Sequence, residues 1–188
     1  MILSDITIKE RLKSGAITIE PFSEEFLQPA SYDLHLDRYF MVFNKENIGM
    51  IDVKEKPEDL MRKIDVGKDG SFIVHPGELV LANIKEIVGV DDKHVGRLEG
   101  KSSLGRIGLI VHATAGFLDP GNKLRLTLEL ANLSCLPIRI YEGMKISQIA
   151  FEELDRSCER PYGSKGLGSK YVGDSKVQES QMWRNFSK

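Results

Sequence analysis

What most constrains this chain is its punctuation. From Tyr32 onward, short runs of alternating apolar and polar residues are cut every few positions by glycine or proline. Tyr32, Leu34 and Leu36 alternate with Asp33, His35 and Asp37, the pattern of a half-buried strand, and residues 39–43 read as another. Residues 71–90 read as strand, turn, strand around Pro76-Gly77, and 136–154 as a hairpin around Glu142-Gly143. A strand is expected over 123–130 and one helical turn within 102–109. Residues 44–70 form a polar excursion with a helical turn expected near 57–63. The clearest helix is N-terminal, capped by Ser4, started by Asp5 and stopped by Gly15, with Ile8 and Leu12 on its inner face. Many short strands with tight corners specify an all-β barrel or sandwich carrying one short helix.

The chain has 188 residues, of which 41% are hydrophobic, enough for one domain with a core. Its net charge of −2 argues against a protein that tracks long nucleic acid, which needs a basic face to displace counterions. No apolar run approaches the roughly 20 residues of a bilayer span. The charged start is unlike a signal peptide. Cys135 and Cys158 form no Cys-x-x-Cys pair, so a reducing cytoplasm is the expected setting. After Arg160 glycines recur at 163, 166, 168 and 173 beside Tyr162, Tyr171, Lys165, Lys170 and Lys176. We therefore expect a barrel domain over residues 1–160 and a C-terminal arm over 161–188. That arm is either flexible or ordered over a phosphorylated ligand.

Four stretches carry candidate chemistry. Gly100-Lys101-Ser102 imitates the end of a phosphate-binding loop, but Val95 stands where the leading glycine belongs. What remains is a polar turn with Lys101, Ser102, Ser103 and Arg106, able to meet phosphate or simply solvent. The four histidines, His35, His75, His94 and His112, begin no His-x-Glu, and no Pro-Cys-x-x-Cys follows, so a zinc-class deaminase is not expected. Along 123–130, Leu124, Leu126, Leu128 and Leu130 share one face, and Lys123, Arg125, Thr127 and Glu129 the other, which is a solvated face or the wall of a site. Asp119 sits on a tight corner between Gly116 and Gly121, either closing the turn or facing a ligand.

Taken in order, LEGKSSLGR, HATAGFLDPG, LTLEL, GMKISQI and RPYGS followed by GSKY resemble the dCTP deaminase family of the trimeric dUTPase-like superfamily. QPASYDLHL and HPGE extend the resemblance over essentially the whole chain. It implies a distorted, jelly-roll-like β-barrel assembled as a homotrimer, with active sites between protomers and dCTP or dUTP as substrate. It implies that Lys101, Ser102, Ser103, Leu104, Gly105 and Arg106 bind nucleotide, with Ser102 and Arg106 catalytic in a neighbour's site. Glu129 becomes the proton-shuttling residue, Thr127, Leu128, Glu129 and Gln148 line the base and sugar pocket with Ala115, and Asp119 holds the deoxyribose. Tyr162, Lys170 and position 174 lie on the arm over the triphosphate. The family adds dTTP as a candidate inhibitor. In the two departures noted, Asp174 replaces a glutamine and Asn122 an aromatic residue.

Such an enzyme delivers hydroxide to cytosine C4 without a metal, so a carboxylate takes the proton from water and returns it to the leaving ammonia. Help of this kind is worth about 10²–10⁴-fold. Fixed donors around the charged intermediate add about 10²–10³-fold. The Gly116-Phe117 pair resembles the bifunctional members, which continue to dUMP and diphosphate. A small residue at 116 leaves room for a water near the α-phosphorus, and Mg²⁺ bound through the substrate phosphates neutralises charge. The competing readings are a deaminase that stops at dUTP, a dUTPase without deamination and a non-catalytic nucleotide binder.

Overall fold

The computed structural model describes residues 1–46, 48–56 and 58–187. The elements that build the body are α1 (Asp5–Ser14), β1 (Ile17–Glu20), β2 (Leu27–Gln28), β3 (Ser31–Phe43), β4 (Met61–Asp65), β5 (Ser71–Val74), β6 (Leu79–Ile84) and β7 (Ile87–Val90). They continue with β8 (His94–Gly100), α2 (Ser102–Gly105), β9 (Leu109–Ile110), β10 (Phe117–Leu118), β11 (Lys123–Leu124), β12 (Thr127–Asn132), β13 (Ile138–Tyr141) and β14 (Lys145–Glu153). The pairing is antiparallel throughout the described ladders. The largest sheet runs β10-β8-β14-β3-β6-β12-β9, with β2 and β4 also pairing with β3. Smaller sheets, β1-β7-β11 and β13-β5, curl against it. One apolar core serves all three: Ile17, Leu34, Phe40, Ile84, Val88, Leu128, Ile140 and Phe151 belong to a single packed cluster. This is the expected all-β, jelly-roll-like architecture with its N-terminal helix. In α1 the Ser4 hydroxyl accepts the Thr7 N–H, and Gly15 ends the helix at φ +79° with its N–H on the Leu12 carbonyl.

Four local expectations are corrected. Residues 31–43 are one strand, and positions 32–37 are buried on both faces. The polar alternates are sheltered because each meets a distant partner. Asp33 meets Lys101 and Lys145, and Asp37 meets Arg125. His35 meets Glu86 at 2.6 Å, and Phe26 packs on its ring at 4.2 Å. The expected strand over 123–130 is two strands, because β11 pairs with β7 while β12 pairs with β6. Between them the Arg125 N–H donates to the Asp174 carbonyl of the arm. Glu142-Gly143 does not close a hairpin: β13 pairs with β5, and β14 with β3 and β8. The helical turn near 57–63 is replaced at Met61 by β4, which extends the β3 edge; Pro57 lies outside the described residues.

The His35–Glu86 contact closes one side of β3. Glu86 is 3% exposed and also accepts the His35 backbone N–H at 3.0 Å. Glu86→Gln keeps the shape but loses the charge-assisted bond, at a cost of about 1–3 kcal/mol. Thermal unfolding should show a Tm lower by several degrees, given about 2–4 °C per kcal/mol for a domain of this size. An unchanged Tm would show that the pair is not a support of the fold.

Among the described residues the arm forms no strand, yet it is fastened. The Tyr162 N–H donates to the Pro120 carbonyl at 2.8 Å, and Asp174 holds Arg125 as above. Val177, 4% exposed, packs with Met41, Leu60 and Met61 in a second small core. No helix among the described residues is long and apolar enough to cross a membrane.

Candidate active site

β12 presents Glu129 and Thr127 on the face opposite the core, because Leu128 and Leu130 take the inward positions. Leu128 is fully buried, so the residue expected to line the pocket stands behind its wall. The Glu129 N–H donates to the Val111 carbonyl at 3.1 Å. Its carboxylate accepts the backbone N–H of Ala113 at 2.8 Å and of Thr114 at 3.3 Å. The lone glutamate of the strand is thus aimed by two fixed donors on the exposed 113–115 turn. Ala115 lies on that turn, and His112, half-buried beside it, leaves its Nδ1 without a partner among the described residues.

Gly116 closes the turn. Its carbonyl accepts the Leu98 N–H at 2.7 Å, and a Cβ built there meets the Leu98 carbonyl at 3.0 Å and His112 Cε1 at 3.1 Å. The site is tight: any side chain at 116 presses directly on the histidine that flanks the Glu129 turn. Phe117, the next residue, is 58% exposed.

Asp119, Tyr162 and Lys170 come together in a cavity of about 400 Å³, with Arg160, Ser169 and Tyr171 also on its wall. Burial pushes the Asp119 carboxyl above its ordinary range. Gly121 explains why the arm begins here: at φ +81° it has no Cβ, and one would stand 2.5 Å from Pro161. The Tyr162 hydroxyl accepts the Tyr171 N–H, which folds the glycine-rich stretch back on itself. Asp174 lies apart from this cavity's wall. Desolvation raises its carboxyl too.

Ser102, Ser103, Gly105 and Arg106 are exposed on the single turn of α2, Leu104 half-buried beneath them. Among the described residues no ion pair engages Arg106. Lys101 is different, because its ammonium turns inward to the buried Asp33. Gln148 likewise holds the protein: it donates to the Gly100 carbonyl at 3.2 Å and accepts from the Ser31 hydroxyl at 2.9 Å. The chain therefore gathers Asp119, Tyr162 and Lys170 in one place and Glu129 with the 113–116 turn in another, and leaves Ser102 and Arg106 facing outward. Asp33, Asp37 and Asn83 escaped the sequence reading. Asn83 lies opposite Thr127 with both amide atoms unpartnered among the described residues. Nothing local in the sequence marks these polar residues as buried. Among the described residues no three His, Cys, Asp or Glu side chains group to hold a metal ion.

The profile of the dCTP deaminase-like family matches residues 2–154. A dCTP deaminase, dUMP-forming, from Acidothermus cellulolyticus is 46% identical over 186 residues, 99% of this chain and 97% of the relative. One of the same name from Streptomyces coelicolor is also 46% identical over 186 residues, with the same coverage. The solved 2'-deoxycytidine 5'-triphosphate deaminase of Agrobacterium tumefaciens superposes with a TM-score of 0.63 at 19% identity. It shares the fold over 85% of this chain, which spans 49% of that longer chain. With a family profile over most of its length and full-length relatives at this identity, the chain belongs to the dCTP deaminase-like family.

Proposed function

We propose that this protein is a bifunctional hydrolase that deaminates dCTP and cleaves the resulting dUTP to dUMP and diphosphate. It works as a homotrimer whose sites are shared between protomers. The observation that carries this reading is the Glu129 carboxylate on β12, oriented by two backbone donors. Relatives named dUMP-forming support the second step.

In the deamination, Glu129 takes a proton from water as hydroxide adds to cytosine C4. It returns that proton to N4 and ammonia leaves; the proton of the C4 hydroxyl passes to N3, and the base is uracil. Ser102 and Arg106 of an adjoining protomer stabilise the charged adduct. Their exposure supports this role, as do the exposed apolar residues on the same side: Ile107 at 50% and Leu133 at 70%. In the second step water attacks the α-phosphorus and diphosphate departs. Asp119 holds the sugar, and Tyr162 and Lys170 hold phosphate oxygens. We read residues 161–188 as the arm that closes there on the 1–160 barrel.

Mg²⁺ carried on the phosphates fits these residues. It would be held chiefly through the substrate phosphates, so no built cluster would be needed, and Asp119 is the carboxylate lining the same cavity as Lys170. The chemistry it supplies when bound is neutralisation of charge on the departing diphosphate. The reading includes dTTP as an inhibitor of the same pocket and a reducing, cytoplasmic setting for the free thiols of Cys135 and Cys158.

Incubation with dCTP and Mg²⁺, followed by chromatography of the nucleotides, tests the proposal. dUMP is expected. Accumulated dUTP would mean a deaminase only; unchanged dCTP would mean a dUTPase or a nucleotide binder, which a parallel incubation with dUTP separates. Gly116→His should separate the two steps. Its side chain presses on His112 and the Leu98 carbonyl and displaces the 113–116 turn, so deamination survives in part while dUTP accumulates. A dUMP yield equal to that of the parent protein would remove Gly116 from the second step.

A further inference from the structure

We propose that Asp33, a residue remote from the reacting atoms, is the positioning residue that sets residues 101–106 for the neighbouring protomer's site. The inference rests on the shared-site reading above and adds to it the device that holds the donated segment in place.

Asp33 is 2% exposed on β3. One carboxylate oxygen takes the Lys101 ammonium. The other takes Lys145 at 3.1 Å and Gln28 at 3.4 Å. Gln148, directly across the ladder from Asp33, grips the Gly100 carbonyl and the Ser31 hydroxyl. Gly100 and Lys101 are the last residues before α2, so both are tied to the sheet where the segment leaves it. Beyond them Leu104 packs on the core and the Gly108 carbonyl accepts the Leu133 N–H at 2.9 Å, which fixes the far end of the segment. A helix of four residues is far below the length at which helices persist unaided. Ser102, Ser103 and Arg106 are exposed. The point and direction at which the segment leaves the sheet are therefore set by the Asp33–Lys101 contact and the Gln148 grip. Lys101 spends its charge inward, acting as a strut and not as a phosphate ligand. A buried carboxylate between two ammonium groups is a costly arrangement to build unless the anchored backbone matters, because an apolar residue fills such a place more cheaply.

The test uses the full-length protein. Asp33→Asn keeps the shape and removes the charge; Lys101→Met removes the same contact from its less buried end and leaves Asp33 its other partners. Each should lower kcat for dCTP by about 10²-fold through misplacement of the donated groups, with KM changed far less. The double variant should lose no more than either single one, since the pair acts as a unit. A rise in KM at constant kcat in Lys101→Met would make Lys101 a phosphate ligand and overturn the strut. Additive losses would overturn the pair.

Complementation supplies a readout that a merely structural role does not move. Differently tagged Asp33→Asn and Glu129→Gln chains are co-expressed, and trimers carrying both tags are isolated. Sites that combine the intact segment of one chain with the intact Glu129 of the other should regain activity. Arg106→Ala with Glu129→Gln is the control. If the control recovers and the Asp33 pair does not, Asp33 serves its own protomer and the inference is overturned alone. If neither recovers, the shared-site reading and the inference fall together.

Discussion

Glu129→Gln should stop ammonia release from dCTP while leaving nucleotide binding nearly intact. The amide keeps the size of the side chain, and its oxygen still accepts the Ala113 and Thr114 N–H groups that orient the carboxylate. The turn therefore has no reason to move. What is lost is the lone pair of an anion able to take a proton from water and hand it on. The general-base contribution alone is about 10²–10⁴-fold, and both deamination transfers pass through this one residue, so the upper part of that range is expected for kcat. Ammonia release and equilibrium dCTP binding measured on the same preparation decide the matter. Turnover near the parent rate refutes the role of Glu129. Loss of binding together with turnover would make it a ligand anchor.

Ending the chain at Arg160 should weaken triphosphate binding by about 10²–10⁴-fold in KM. Tyr162 and Lys170 leave with the arm, and two contacts to charged oxygens at about 1.5–3 kcal/mol each account for that range. Stability falls as well. Val177 covers Met41, Leu60 and Met61, and exposing a buried valine costs about 1.5–3 kcal/mol before its partners are counted. The Asp174 carbonyl no longer receives the Arg125 N–H. The truncated chain should remain folded by circular dichroism, with Tm lower by roughly 5–10 °C at about 2–4 °C per kcal/mol. The arm thus serves folding as well as the proposed site, because Val177 belongs to a small core. Unchanged affinity for dUTP would remove the arm from the site.

Much of the fold was legible because its signals are local. Ser4 and Gly15 mark the ends of α1 by chemistry that operates within a few residues. The leucines at 124, 128 and 130 announce an inward face through the two-residue period of a strand. The paired chemistry was harder to read. Asp33, His35 and Asp37 look like a solvated edge until Lys101, Glu86 and Arg125 arrive from 68, 51 and 88 residues away. The split at Arg125 has the same origin: a strand changes partner where another segment, here Asp174 of the arm, takes over its hydrogen bond.

From its order of residues alone this chain determined that it would be a β-rich body with one capped helix, a lone glutamate on the polar face of a leucine strand and a glycine-rich tail. Periodicity and capping act over short distances. Only the tertiary structure decided that the polar face of β3 is interior, that Lys101 points inward, and that Asp119, Tyr162 and Lys170 share one cavity. Which charge meets which, and what is thereby withdrawn from water, depends on segments that folding alone brings into contact.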